Sequence, residues 1–168
     1  MRRNPAGIIR ALEARDDEAA GAVIRAVRRE FGVTGEGFDN HEADATPLHQ
    51  IYGAARSHYF VVELDGCVAG GAGIAPYGGP GSETCELQRM YLAPSARGAG
   101  YGRALLEHCF DAARRHGYRR CYLETAASLD AARALYLDAG FREITAPLEH
   151  AVHPSCDAFY VLELGDRR

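Results

Sequence analysis

The chain has 168 residues, enough to close one hydrophobic core and too few to build two. Its 47% hydrophobic and 25% charged residues are ordinary for a globular protein and exclude a disordered or fibrous chain. A formal net charge of -4 argues against a nucleic-acid surface, which needs clustered Lys and Arg to displace counterions from phosphates.

In chain order, the pattern predicts a strand over 7–14, then a helix with Asp16 and Asp17 at its N-cap. Ala20, Val23, Ile24, Val27 and Phe31 form the buried stripe of that helix, and Gly32 stops it. Residues 32–47 turn polar, with Glu36, Asp39, Glu42 and Asp44 and no basic residue, and a short helix follows over 48–56. Segments 59–64 and 67–75 read as a hairpin, because Asp65-Gly66 supplies the positive φ angles of a two-residue turn. A glycine-proline loop over 76–82 leads to a half-buried strand over 86–92, ended by Ala93-Pro94.

The next helix starts near Gly102 and buries Leu105, Leu106, Cys109, Phe110 and Ala113, with Arg103, Glu107, Asp111 and Arg114 toward water. A strand over 118–125, a helix over 130–139 closed by Gly140-Phe141, and a strand over 157–164 complete a single mixed α/β domain spanning 1–168. The arginine pairs 2/3, 28/29, 114/115 and 119/120 are expected on solvated faces. Cys67, Cys85, Cys109, Cys121 and Cys156 are odd in number and form no C-x-x-C pair, which reads as reduced thiol. With no signal segment and no apolar run of spanning length, the expected location is the cytoplasm, without a membrane partner.

Arg97-Gly98-Ala99-Gly100-Tyr101-Gly102 lies between a strand and an amphipathic helix. Three glycines let successive N–H groups converge at a helix N-terminus, where the first-turn amides and the dipole favour an anion such as a diphosphate. Arg97 adds a formal charge. A nucleoside-triphosphate loop lacks its Lys-Ser/Thr here, and a dinucleotide fingerprint fits poorly, since residues 94–96 separate strand from glycines. Taken alone, the turn also reads as a plain glycine loop.

The surrounding residues make it more specific. The run from Glu86 to Gly102, with Arg97, Gly100 and Gly102 in an R/Q-x-x-G-x-G/A pattern, resembles the cofactor segment of the GNAT superfamily of N-acetyltransferases. Ala132-Arg133-Ala134-Leu135-Tyr136-Leu137-Asp138-Ala139-Gly140-Phe141 is similar to the family's A-x-x-L-Y-x-x-x-G-F block. The close resemblance covers 86–141, and the first fifty residues match in layout only. It implies a mixed, mostly antiparallel splayed sheet flanked by helices, with acetyl-CoA as co-substrate and no metal.

On that resemblance, Met90, Tyr91 and Leu92 pair with the pantetheine arm like an added strand, and the amides of Arg97, Gly98, Ala99, Gly100, Tyr101 and Gly102 hold the pyrophosphate. Tyr136 stands where the family often places the acid that protonates the departing sulfur, although a tyrosine on the stripe Leu129, Ala132, Tyr136, Ala139 also reads as core. Glu86, eleven residues before Arg97, matches the general base of the protein-acetylating branch, or is a solvated strand-end carboxylate. Leu129 departs from the family, many members carrying Asn there, which leaves Ser128 or the backbone to compensate.

His150, His153 and Cys156 have a spacing that zinc could use but no evident fourth ligand, so the segment reads as a polar loop or a border of the acceptor pocket. The acidic stretch 36–44, by analogy overhanging the acceptor site, would steer a cationic amine. The expected activity is direct acetyl transfer to a primary amine of a small molecule or peptide, by a monomer or homodimer. The rival is a module that binds acyl-CoA without turnover.

Overall fold

A computed structural model describes residues 7–32, 46–149 and 156–165. Among these, β1 (Gly7–Ala11), β2 (His58–Leu64), β3 (Cys67–Pro76), β4 (Thr84–Leu92), β5 (Arg120–Thr125), β6 (Arg142–Ile144) and β7 (Ala158–Glu163) form one sheet in the order β1-β2-β3-β4-β5-β7-β6. Every neighbouring pair is antiparallel except β4 and β5. The helices are α1 (Asp17–Glu30), α2 (Leu48–Tyr52), α3 (Tyr101–Arg115) and α4 (Asp130–Asp138), with 3-10 turns at Ala14–Asp16 and Pro94–Ala96.

The β2–β3 hairpin turns on Asp65 at φ 48 and Gly66 at φ 80, with Leu64 opposite Cys67, as the Asp-Gly pair dictates. Strand β2 is buried on both faces. Phe60, Val62 and Leu64 join the α3 side with Leu105, Leu106, Cys109 and Phe110, while Tyr59 and Val61 join Ala20, Ile24, Leu48 and Tyr52 beneath α1 and α2. That two-sided burial makes the strand an apolar run and not an alternation.

Several local expectations are corrected. Strand β1 ends at Ala11, because the buried Asp16 carboxylate accepts the Glu13 amide at 2.8 Å and the Arg10 guanidinium at 2.7 and 2.9 Å, drawing the chain into a 3-10 turn. Asp16 therefore makes no side-chain cap on α1, and the Asp17 carboxylate instead accepts the His49 amide at 2.9 Å, joining α2 to α1. Helix α2 stops at Tyr52, since Gly53 is its C-cap and Arg56 turns the chain at φ 61.

Phe31 is exposed and Arg28 buried, the reverse of the helical reading. Arg28 lies against Tyr91, its Nε donating to the tyrosine oxygen at 3.3 Å, and Phe31 is the C-cap of α1. Arg114 donates from Nε to the Leu164 carbonyl at 2.9 Å. Cys85, Cys109 and Cys121 are buried, Cys67 is exposed beside the hairpin turn, and β6 was too short to leave a pattern.

Candidate active site

Strands β4 and β5 pair only at Thr84 with Arg120, Cys85 with Cys121 and Glu86 with Tyr122. Beyond Glu86 the register shows no further pair between the two strands, which part along residues 87–92 of β4. An unpaired strand edge is a template for an extended, amide-bearing chain.

Within the same stretch β4 carries a bulge. Gly71 faces Tyr91 and Gly73 faces Gln88, so two steps along β3 oppose three along β4. Arg89, at φ 48, lies in the left-handed region. The extra residue reverses the side-chain alternation. Cys85 and Leu87 before the bulge and Met90 and Leu92 after it all face the α3 side, while Gln88 and Tyr91 face α1 and α2. Strict alternation would have given Met90 the face of Glu86.

The turn after β4 has the conformation its glycines allow. Gly98 has φ 72, and Gly100 has φ 87 and ψ -2 as the N-cap of α3. A Cβ at either would meet no atom within 4 Å, so these two are glycines for backbone freedom and not for crowding. Gly102 differs, since a Cβ there would stand 3.0 Å from Leu135 Cδ2, where α3 passes α4. The helical ladder begins with Ala104 N–H donating to Gly100 O at 3.1 Å. The amides of Gly98, Ala99 and Gly100 donate to no carbonyl among the described residues, and those of Gly102 and Arg103 are first-turn amides.

Arg97 does not direct its charge at the turn. Its Nη atoms pair with both Glu30 oxygens at 2.7 Å, its Nε donates to the Leu92 carbonyl at 2.9 Å, and its amide bonds Pro94 O at 3.3 Å. The carboxylate holds that guanidinium protonated and is itself held below its usual range. Arg97 thus fastens the end of β4 to the end of α1.

From Gly98 and Gly100 a cleft of about 360 Å³ runs along Met90, Tyr91 and Leu92. Val27 and Arg28 of α1 with its C-cap Phe31 form one wall, and Leu129, Ala132 and Leu135 the other. Leu129 is the N-cap of α4 and makes no side-chain cap; Ser128 is exposed. The unpaired amides of Gly98, Ala99 and Gly100 at one end and the largely apolar course beside the parted strand fit a diphosphate joined to an amide-bearing arm.

Tyr136 is buried on α4 between the rings of Phe141 and Tyr160, at centroid distances of 5.9 and 6.2 Å. Burial pushes its phenol well above the ordinary value, so at neutral pH it is a proton donor and not a base. Glu86 is half-buried, and its Oε2 accepts from Gln88 Nε2 at 2.6 Å.

Glu124, two residues beyond the last β4–β5 pair, was not anticipated. Its Oε1 accepts from the Tyr122 hydroxyl at 2.9 Å, while its Oε2 is buried with no hydrogen-bond partner among the described residues. By register and period it shares the face of Glu86. A carboxylate inside Cys121-Tyr122-Leu123-Glu124 is a polar exception in an apolar strand, which is the signal that would have found it. Half-buried Cys156 lies within electrostatic reach of Glu124, Glu86 and Tyr136; burial, then Glu124 and Glu86, push its thiol up to about 12. His150, His153 and the acidic stretch 36–44 lie outside the described residues, and no three-residue metal cluster occurs among the described ones.

A mixed sheet parted at a parallel pair, with a glycine turn after β4 and a cleft beside it, defines an α/β domain with a candidate ligand site. The model of the acetyltransferase (GNAT) family matches residues 15–141. The N-acetyltransferase YjgM of Escherichia coli (strain K12), described as uncharacterized, is 40% identical over 158 residues, 94% of this chain and 95% of that protein. A GNAT-family acetyltransferase from Staphylococcus aureus Mu50 superposes with a TM-score of 0.83 at 18% identity, covering 95% of this chain and 100% of that one. The PaiA N-acetyltransferase of Thermoplasma acidophilum, solved with coenzyme A, gives 0.74 at 16% identity over 94% and 99%. The chain belongs to the acetyltransferase (GNAT) family and is an N-acetyltransferase.

Proposed function

We infer that the protein transfers an acetyl group from acetyl-CoA directly to a primary amine of a small molecule or peptide. The observation that carries this reading is the continuity of the open amides at 98–100, the cleft along Met90 to Leu92, and the seam that Glu86 borders. Acetyl-CoA supplies the acetyl group as an activated thioester.

In this reading the amides of Gly98, Ala99, Gly100, Tyr101 and Gly102 hold the diphosphate, helped by the positive end of α3. Arg97 stabilises the turn through Glu30 and adds little charge of its own. The edge of β4 at Met90, Tyr91 and Leu92 receives the arm. An amine arrives as an ammonium, and the carboxylates of Glu86 and Glu124 favour it there. Glu86 removes the proton so that the nitrogen lone pair can attack the acyl carbon, and Tyr136 returns a proton to the departing thiolate. The raised thiol of Cys156 is a poor nucleophile, which supports transfer without an acyl-enzyme.

The test follows thiol release from acetyl-CoA over a panel of primary amines, for the wild type, Glu86→Gln and Tyr136→Phe. Release with at least one amine, lowered about 100-fold or more by either substitution, supports the reading. Tight binding of CoA with no release for any amine would favour an acyl-CoA sensor and contradict it.

A further inference from the structure

Strand β3 carries Gly71 and Gly73 in a central position where side chains would normally pack. Two phenol rings fill that space. Tyr52 of α2 and Tyr59 of β2 lie with centroids 4.9 Å apart, and a Cβ at Gly73 would stand 2.6 Å from each ring. The glycines let both tyrosines lie across β3 and reach β4.

Their hydroxyls meet the bulge. Tyr59 donates to the Arg89 carbonyl at 3.0 Å, holding the left-handed residue in place. The Tyr52 oxygen accepts from Arg89 Nη1 at 3.4 Å, so its own proton is directed to Gln88 Oε1 at 3.1 Å. With its oxygen so engaged, the Gln88 amide turns its nitrogen to Glu86 Oε2 at 2.6 Å. The chain Arg89, Tyr52, Gln88, Glu86 donates in one direction and terminates on the carboxylate.

The geometry points to Tyr52 and Gln88 as positioning residues that orient Glu86 and keep it ionised for proton acceptance, an inference that rests on Glu86 being the base. A hydrogen bond donated to a carboxylate favours its charged form. Glu124 shares the face of Glu86. Among the described residues, the other charged or titratable groups around Glu86 include Arg89 on β4, Tyr52 on α2, Tyr122 on β5 and Cys156 before β7; Ala75, opposite on β3, brings none.

The experiment titrates the glutamate side-chain carboxyl carbons by NMR in the full chain without cofactor, for the wild type, Tyr52→Phe and Gln88→Leu, beside the pH profile of kcat/KM. Tyr52→Phe keeps the ring that packs on Gly73, so its melting temperature serves as the folding control. Glu86 is expected to titrate about one pH unit higher in Gln88→Leu and roughly half a unit higher in Tyr52→Phe. The acidic limb of kcat/KM is expected to rise with it. A Glu86 titration unmoved in both variants overturns the relay whatever the rates do. A titration that moves while the acidic limb stays fixed, or a wild-type limb surviving in Glu86→Gln, overturns instead the base assignment and with it the positioning role.

Discussion

Gly100 offers a substitution that probes backbone conformation without a clash. At φ 87, a Cβ added to it would meet no atom within 4 Å, so Gly100→Ala introduces only the strain of an L-residue in the left-handed region. That strain is about 1–2 kcal/mol. Relief comes by rotating φ, which turns the amides around residue 100 away from their common focus. A diphosphate gripped by those amides then loses about 5-fold to 30-fold in affinity, at 1.4 kcal/mol per decade. Gly66→Ala is the matched control, because Gly66 has φ 80, equally open surroundings and a site in the distant β2–β3 turn. Both variants should melt a few degrees lower, while calorimetry with CoA should show a weakened Kd for Gly100→Ala alone. Wild-type affinity in Gly100→Ala, or equal losses in the two variants, would refute the reasoning.

Three further expectations follow from the site and its supports. Tyr136→Phe removes a protonated phenol without leaving a cavity, and should lower kcat about 100-fold with an unchanged Kd for CoA; a kcat within twofold of the wild type would remove Tyr136 from the chemistry. With its thiol raised to about 12, Cys156 is about one part in 10,000 thiolate at pH 8, so Cys156→Ala should stay active and initial-rate patterns should intersect; parallel lines or acetylated Cys156 would contradict direct transfer. The carboxyl of Asp16 is held below its ordinary 3.8 by the hydrogen-bonded Arg10 guanidinium, so its stabilisation is present above about pH 4 and lost as pH falls through the folded value. Asp16→Asn should cost about 2 kcal/mol at pH 7 in urea unfolding, with the gap closing in acid, and a gap constant with pH would deny the linkage.

The parts of the fold legible in the sequence are those fixed by neighbouring residues. Asp65-Gly66 selects its turn, the stripe from Leu105 to Ala113 selects the buried face of α3, and Gly98 and Gly100 carry positive φ angles that few other residues accept. What escaped depends on distant partners. The bulge exists because β4 must pair with β3 at both Gly71 and Gly73, and nothing local in Leu87-Gln88-Arg89-Met90 marks Arg89 as the residue that absorbs the extra step. Arg97 meets Glu30 only once α1 lies beside the turn, so a motif position that suggested a phosphate cation became a strut. Burial of Arg28 requires Tyr91, and the exposure of Phe31 follows from the cleft it borders. Glu124 was legible in principle, being polar within an apolar strand, but its significance appears only where β5 leaves β4.

The central claim is that main-chain amides between β4 and α3 bind the diphosphate of the co-substrate. An amide-resolved NMR titration of the full chain with CoA addresses it most directly. The account predicts that the N–H resonances of Gly98, Gly100 and Gly102 shift first and furthest, saturating with the calorimetric Kd, and that residues 87–92 follow. Saturation of CoA binding with those three glycine amides unmoved would contradict it.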